Sequence, residues 1–484
     1  MSPCMSCARR ACTSWTCAKP RRQRRGRTCS GHPRLVLGVR KTWMAVSSTA
    51  MTYDDVMIWA LALFLAFILV GVPIAFALGA GALVGLWLLE GAPLRIVASR
   101  IFGGIDNFSL LAIPFFILAG ELMETGGISH RLVHLARVLV GHIRGGLGNV
   151  VLIAMIFFSG ISGSTNADAA AIGSVMIPPM KRQGFSPGHA GAIVAASAGM
   201  GILVPPCLTM VVYGSMTNTS IATLFAAGFL PAFIMTAALM LHLRLDARRL
   251  GLKPDPRASW RERLIALRKA SWALLLPIII FGGILGGIFT PTEAAVVAVI
   301  YAIVVGMAVY REVTPRFLAR AFIRTGVTSG IVMLLIGAAN IFAWLMTVSG
   351  VPAAIAGAIQ SMGGGKTVFL LMSVVVFLPL FALLDGLPGM LMIMPVFVPI
   401  AQRLDVDLIH YGILMTAVMG IALFLPPVGV GLYIVLGLSG ATLGEISRHL
   451  FPYLATMTAV AVVIVFVPWI VYLVPYVFGL YTPR

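Results

Sequence analysis

The stretch "SGSTNADAAAIGSVMIPP", residues 162–179, places hydroxyls, an amide, glycines and one carboxylate inside a long apolar run. Asp168 is the only charged residue between Gly145 and Met180. A charged side chain at mid-membrane costs about 2.5–3.5 kcal/mol, and non-helical backbone at that depth is tolerated only against protein or water. We therefore predict a re-entrant hairpin over 147–182. Its polar tip would comprise Ser162, Gly163, Ser164, Thr165, Asn166 and Asp168.

The composition identifies a membrane protein. Of 484 residues, 59% are hydrophobic and 11% are charged, whereas soluble domains have roughly 45–50% apolar and about 25% charged residues. Uncharged apolar windows recur at 272–292, 327–365 and 450–483, and each exceeds the ~18 residues that indicate a spanning helix. The sequence predicts about ten to twelve membrane segments, some of them half-helices.

The first fifty residues differ from the rest. They hold eleven Lys and Arg, no acidic residue and five of the six cysteines. No second Cys-x-x-Cys or His pair completes a zinc site, and the apolar core of a signal peptide is missing. We interpret 1–50 as a basic disordered extension or a mis-assigned start, with the functional chain beginning near Met51 or Met57.

An internal repeat organises the remainder. Asp168 precedes Pro178 by ten residues, as Asp385 precedes Pro395. Further along, "GILVPP" ending at Pro206 matches "ALFLPP" ending at Pro427. These landmarks predict two homologous halves, 51–245 and 311–484, joined by 246–310.

The repeat extends the hairpin prediction to the second half. A second hairpin is predicted over about 366–402, with Asp385 and Gly386 at its tip. The Pro-Pro pairs predict a broken helix in each half, because proline interrupts helical hydrogen bonding. The residues of the two breaks are Gly201, Pro205 and Pro206, and Gly420, Pro426 and Pro427. The alternative for each Asp is a helix cap satisfied by neighbouring amides.

The linking segment sets the orientation. Nine Lys and Arg against three acids between Arg244 and Lys269 predict a cytoplasmic loop. Two spans joined by Thr290-Pro291-Thr292 then return the chain to the basic residues from Arg311 to Arg324.

The chemistry of the repeated motif favours transport. Hydroxyl, amide and carboxylate oxygens suit an alkali cation and include no soft donor for a transition metal. Broken helices expose carbonyls to sodium and positive N-termini to an anionic substrate. No metalloprotease, hydrolase or complete Walker motif is present, so we predict that the chain is not an enzyme. The arginine-rich start lacks interleaved aromatics, so no nucleic-acid partner is predicted.

Four stretches resemble one family, the large membrane subunit of tripartite ATP-independent periplasmic (TRAP) transporters. They are "LLAIPFFILAGELMETGGIS", "GISGSTNADAAAIGSVMIPPMKRQG", "LPIIIFGGILGGIFTPTEAAVVAVIYA" and "LLDGLPGMLMIMPVFVPIA", and the resemblance runs from about Met57 to the C-terminus. It implies an all-α polytopic membrane protein with two inverted repeats, each with a re-entrant hairpin and a broken helix. The fold would be that of an elevator-type secondary transporter of the ion transporter superfamily, in the bacterial inner membrane.

The same resemblance implies the function. The chain would import an organic acid with sodium as the coupling ion and no other cofactor. It would work with a four-helix small membrane subunit and a periplasmic substrate-binding protein. Leu425 and Gly431 replace a hydroxyl and an amide expected from the family pattern, so one ion site would rely more on backbone oxygens, or the ion number or substrate would differ. The alternative function is a stand-alone sodium/dicarboxylate symporter of similar architecture.

Overall fold

The computed structural model describes residues 59–482 except 61, 65, 69, 89–94, 125–127, 250–254, 362–364 and 385. The extension predicted for 1–50, and Met51 and Met57, lie outside the described residues. Within the described ranges all regular secondary structure is helical. The prediction of an all-α fold is thus confirmed.

Nine numbered helices precede the basic loop. They are α1 (Ile74–Leu88), α2 (Arg95–Ile105), α3 (Ala112–Glu124), α4 (Ile128–Val140), α5 (Leu147–Ser162), α6 (Thr165–Arg182), α7 (Pro187–Gly201), α8 (Leu208–Thr217) and α9 (Ile221–Arg249). A short 3-10 turn, Phe108–Leu111, leads into α3.

Ten helices follow the loop, and the first two link the halves. The linking helices are α10 (Trp260–Leu285) and α11 (Pro291–Val304). The second half contains α12 (Pro315–Ser349), α13 (Val351–Ser361), α14 (Lys366–Leu384), α15 (Gly386–Arg403), α16 (Leu408–Ala422), α17 (Val430–Ser439), α18 (Leu443–Phe466) and α19 (Trp469–Val477).

The helices repeat in length and order. Helices α6, α7 and α8 contain 18, 15 and 10 residues, and α15, α16 and α17 contain 18, 15 and 10. Equivalent helices also start alike, since Ser186 caps α7 and Asp407 caps α16 through side-chain oxygens. Both caps satisfy amides that the first helical turn leaves without a partner.

Seven described helices are long and apolar enough to cross a membrane, and an eighth span results if α2 and Phe108–Met123, bent by 60°, are counted as one. Six further apolar helices have only 10–17 residues. A ten-residue helix rises about 15 Å, half of the ~30 Å hydrocarbon core. The shorter apolar helices therefore include the half-helices that the sequence predicts.

The helices form a core and a frame. In the core, α7 packs on α5, α6, α16, α17 and α18, so elements of both halves meet. In the frame, α12 packs on α1, α2 and α3, and α11 packs on α3. The core contains both helices of the first hairpin and both broken helices.

The two halves approach closely where α7 crosses α16. A Cβ atom on Gly420 would lie 2.1 Å from the Gly199 carbonyl oxygen, and one on Gly199 would lie 2.6 Å from the Gly420 carbonyl oxygen. Only glycine fits at such a crossing, because small residues let helix backbones touch.

An acidic residue of the basic loop between α9 and α10 joins two other elements through hydrogen bonds. The Asp255 carboxylate accepts hydrogen bonds from Arg137 Nε of α4 at 2.7 Å and from Gln183 Nε2, just after α6, at 3.0 Å. Its backbone amide donates to the Gly141 carbonyl at 3.0 Å. The loop thereby joins α4 to the base of the first hairpin.

Three histidines that are far apart in sequence meet where the start of α7, the last turns of α9 and the start of α18 come together. His189 Nε2 lies 2.9 Å from the Tyr453 hydroxyl, which donates to Asp246 at 3.3 Å. The His189 ring stacks on His449 with centroids 4.9 Å apart. His242 Nε2 lies 3.5 Å from the Asp246 carboxylate. This cluster joins the start of α7 to two neighbouring helices.

Replacing Tyr453 by phenylalanine should destabilise this cluster. His189 is only 2% exposed, so losing the hydroxyl leaves a buried ring nitrogen without its partner, at a cost of about 1–3 kcal/mol. We expect a lower midpoint of thermal unfolding in detergent. Tyr476→Phe is the control, because Tyr476 is 53% exposed; equal midpoints for the two variants would contradict the prediction.

Candidate ion and substrate site

The tip of the first hairpin is a two-residue turn between α5 and α6. Gly163 has a left-handed backbone with φ of 66°, and its amide donates to the Ser159 carbonyl. Ser164 is extended and α6 begins at Thr165. A Cβ atom on Gly163 would lie 3.0 Å from the Pro206 carbonyl oxygen, so both the turn and the close approach favour glycine. The predicted tip residues are thus held against the first broken helix.

Asp168 lies in the first turn of α6 and is 1% exposed. Its two carboxylate oxygens accept hydrogen bonds from the hydroxyls of Ser159 and Ser162. The Ser162 hydroxyl oxygen also accepts from the Ser164 amide at 3.2 Å. Two neutral donors and the positive end of a helix therefore satisfy a buried carboxylate at the hairpin tip.

Ser159 is a site residue that the sequence analysis missed. It lies three positions before Ser162 in α5, and residues three apart share one helix face. That spacing is the signal that could have identified it. The Ser159 hydroxyl lies where Gly201 has no side chain, because a Cβ atom on Gly201 would be 2.2 Å from the Ser159 Oγ.

The first broken helix supplies the opposite wall. Helix α7 ends at Gly201, α8 begins at Leu208, and every residue from 202 to 207 is buried. A narrow gap remains between this break and the hairpin tip, with no free space for a water molecule. Its lining residues are Ser159, Gly163, Thr165, Asp168, Gly201, Ile202, Val204 and Cys207.

The second hairpin is described on both sides of its tip. Helix α14 ends at Leu384 and α15 begins at Gly386. Asp385 lies outside the described residues, so its role stays a prediction. Gly386 packs against the first half of the second broken helix, since a Cβ atom on Gly386 would be 3.3 Å from Met419 and 3.4 Å from Leu423.

The second break differs from the first in exposure. Helix α16 ends at Ala422 and α17 begins at Val430. Pro427 and Val428 are exposed and Pro426 is half-buried, whereas Pro205 and Pro206 are fully buried. The two predicted breaks are therefore present, but only the second reaches the surface.

Asn166 connects the two halves of the site. Its Oδ1 atom is buried and accepts no hydrogen bond from the described residues. It lies 3.1 Å from the position of a Cβ atom on Gly431, which would also lie 2.6 Å from the Phe424 ring. Gly431, one of the two departures from the family pattern, thus allows Phe424 and Asn166 to approach.

The structure brings most predicted site residues into two adjoining clusters. The first-hairpin residues lie against Gly201, Pro205 and Pro206. Gly420 adjoins them through its crossing with Gly199, and Asn166 approaches the start of α17. In the described part of the chain, no group of three or more His, Cys, Asp or Glu side chains is placed to hold a metal ion. The atoms available to bind an ion are hydroxyl, carboxylate and carbonyl oxygens.

Re-entrant helices beside broken helices define a class of protein, the secondary-transport permeases. Residues 61–470 match the family model described as "Tripartite ATP-independent periplasmic transporter, DctM component". The chain belongs to this family. The resemblance noted in the sequence is confirmed, as are the predictions of a multi-pass inner-membrane protein and of a transporter rather than an enzyme.

Individual relatives agree with the family assignment. The chain is 37% identical over 392 residues to the C4-dicarboxylate TRAP transporter large permease protein DctM of Pseudomonas aeruginosa, covering 81% of this chain and 92% of the relative. It is 35% identical over 408 residues to the sialic acid TRAP transporter large permease protein SiaM of Vibrio cholerae, covering 84% and 96%.

A solved structure shares the fold. The crystal structure of the Alcanivorax borkumensis YdaH transporter, described as having an unusual topology, superposes with a TM-score of 0.61 at 17% sequence identity. The match covers 85% of this chain and 98% of that one. At this level of identity the similarity concerns the fold alone.

Proposed function

We propose that this large permease subunit imports an organic acid by sodium coupling, with an elevator-type movement of the core against the frame. The two named relatives transport C4-dicarboxylates and sialic acid, and both cargoes are carboxylates. The half-helices α8 and α17 begin beside the tip of the first hairpin, since a Cβ atom on Gly163 would lie 3.9 Å from the Leu208 side chain and one on Gly431 would lie 3.1 Å from Asn166 Oδ1. Helix N-termini favour anions. The substrate class is therefore a small carboxylate.

The caged carboxylate of Asp168 supports sodium as the coupling ion. A cation bound in the gap would compensate the carboxylate charge, and the hydroxyl oxygens of Ser159 and Ser162 would turn their lone pairs toward it. Carbonyl oxygens of the neighbouring break would add further hard ligands, which suit an alkali cation. One sodium ion crossing about 100 mV releases about 2.3 kcal/mol, so ATP is not required.

The division into core and frame supports the elevator movement. The first hairpin packs on α7, and α6 also packs on α17 of the other half. A rigid shift of these elements would carry the site with them, whereas separate movement of the two halves would disrupt the Gly199–Gly420 crossing. The predicted domain boundaries at 245 and 310 fall within the last turn of α9 and beyond α11.

We further propose that a four-helix small membrane subunit and a periplasmic substrate-binding protein complete the transporter. The family description, a tripartite periplasmic transporter, supports this assignment. The alternative remains a sodium/dicarboxylate symporter that acts alone.

Uptake by reconstituted liposomes separates the two functions. Liposomes would contain either the full chain alone or the chain with its small subunit, and would receive labelled C4-dicarboxylates, sialic acid and sugar acids with or without the binding protein. We expect sodium-dependent uptake only when all three components are present. Uptake by the chain alone would instead establish the symporter, and equal uptake in sodium and in choline would exclude sodium coupling.

A further inference from the structure

Helix α2 differs from its neighbours because none of its side chains is buried. It contacts α12 where glycines allow a close approach. A Cβ atom on Gly104 would lie 2.2 Å from Asn340 Nδ2, and one on Gly337 would lie 3.0 Å from the Ile101 side chain. Beyond this contact, Arg95 and Arg100 lie on the surface of α2.

The position of this contact relative to the membrane follows from the sequence of α12. Arg324 is the last charged residue of that helix, and Trp344 follows it by twenty residues, about 30 Å at 1.5 Å per residue. This distance equals the ~30 Å thickness of the hydrocarbon core. Because the basic loops predict a cytoplasmic start for α12, Trp344 and α2 lie at the periplasmic interface, where tryptophan is enriched.

A polar cavity of about 550 Å³ lies between α2 and α12. Its lining residues are Arg95, Ile96, Ser99, Arg100, Gly103, Gly104, Asn340 and Trp344. The described lining residues include two guanidinium groups and no acid, and neither arginine belongs to any ion pair found in the same part of the chain. The Arg100 Cζ atom lies 6.0 Å from the centre of the Trp344 ring. Among the described residues, the cavity therefore carries two positive charges without a counter-charge.

We propose that this cavity binds the phosphate of an anionic phospholipid headgroup from the periplasmic leaflet. The planar fork of a guanidinium group matches phosphate oxygens through paired hydrogen bonds, and Ser99 adds a hydroxyl donor. Phe102 on the same helix is 69% exposed and would contact the acyl chains. The site is independent of the proposed transport cycle, since it lies on the frame and contains no residue of the hairpins.

A thermal-unfolding titration of the full chain in detergent tests this site. The probe is dihexanoyl phosphatidylglycerol, compared with dihexanoyl phosphatidylcholine, glycerol 3-phosphate and inorganic phosphate. We expect phosphatidylglycerol alone to raise the unfolding midpoint substantially. The Arg95→Gln/Arg100→Gln variant should need at least about tenfold more lipid for the same rise.

The matched control is Arg316→Gln/Arg320→Gln, which removes two exposed arginines at the opposite end of α12 and should respond like the parent. An unchanged response of the Arg95/Arg100 variant would overturn the site. An equal effect of glycerol 3-phosphate would overturn the lipid as its source, and an equal effect of phosphatidylcholine would overturn the need for net negative charge. If the glutamine variant does not fold, Arg95→Lys/Arg100→Lys replaces it. That variant keeps both charges and should still bind more weakly, and parent-like binding would contradict the guanidinium assignment.

Discussion

With Asp168 replaced by asparagine, we expect the chain to remain folded but to lose sodium-dependent stabilisation and sodium-driven uptake. The carboxylate is buried and accepts hydrogen bonds from Ser159 and Ser162, and it is the only described charge among the residues that line the gap. Asparagine keeps the shape and removes that charge. The sodium concentration for half-maximal effect should rise at least about tenfold, which corresponds to about 1.4 kcal/mol.

The measurement is the unfolding midpoint in sodium chloride and in choline chloride, followed by uptake at several sodium concentrations. If the role of Asp168 is purely structural, the variant should have a lower midpoint in both salts, because the asparagine amide nitrogen cannot accept the hydrogen bond of one of the two hydroxyl donors. If Asp168 is instead an ion ligand, the variant should lose only the difference in unfolding midpoint between the two salts. Asp106→Asn is the control, since Asp106 is exposed. A parent-like sodium dependence in Asp168→Asn would sink the proposed site.

Replacing Gly420 by alanine should disrupt the core. The new methyl carbon would lie 2.1 Å from the Gly199 carbonyl oxygen and 2.7 Å from the Ile202 side chain. The Gly199 carbonyl belongs to the backbone and cannot rotate away from the new methyl group as a side chain could. The two broken helices must therefore separate. Overpacking in a close-packed core costs about 1–3 kcal/mol, sometimes more, and here the displaced helix also holds Gly201 against Ser159. We expect a strongly reduced yield of folded protein and loss of uptake.

Gly437→Ala is the matched control for this substitution. Gly437 lies in α17 of the same half, and a Cβ atom there would have no neighbour within 4 Å. Alanine favours a helix over glycine by up to about 1 kcal/mol, so this variant should be as stable as the parent or more stable. Folding yield is measured by size-exclusion chromatography of both variants. Equal yields of folded protein from the two variants would contradict the prediction, because α7 and α16 could then separate without loss of the fold.

The local pattern is the basis of the prediction for the first hairpin. An isolated Asp among hydroxyls and glycines predicted a re-entrant segment over 147–182, and α5 and α6 begin at Leu147 and end at Arg182. The repeat placed the second hairpin over about 366–402, where α14 and α15 span Lys366 to Arg403. Such segments can be predicted locally because a buried charge and proline constrain the backbone around them.

Other features depend on residues that are distant in sequence. In the sequence, Ser159 is a serine with apolar neighbours. Its role depends on Gly201 of another helix, which leaves room for its hydroxyl. The cluster of His189, His242 and His449 needs three helices to meet. The approach of Asn166 to Gly431 requires contact between the halves.

By itself the sequence determined the class of protein, the repeat and the oxygen-rich character of the site. Hydropathy, proline and an isolated charge each constrain a single membrane segment, whatever its neighbours are. Only the tertiary structure decided which oxygens surround Asp168, where glycines let backbones cross and where two arginines face one cavity. Those properties depend on distances between segments, which packing sets.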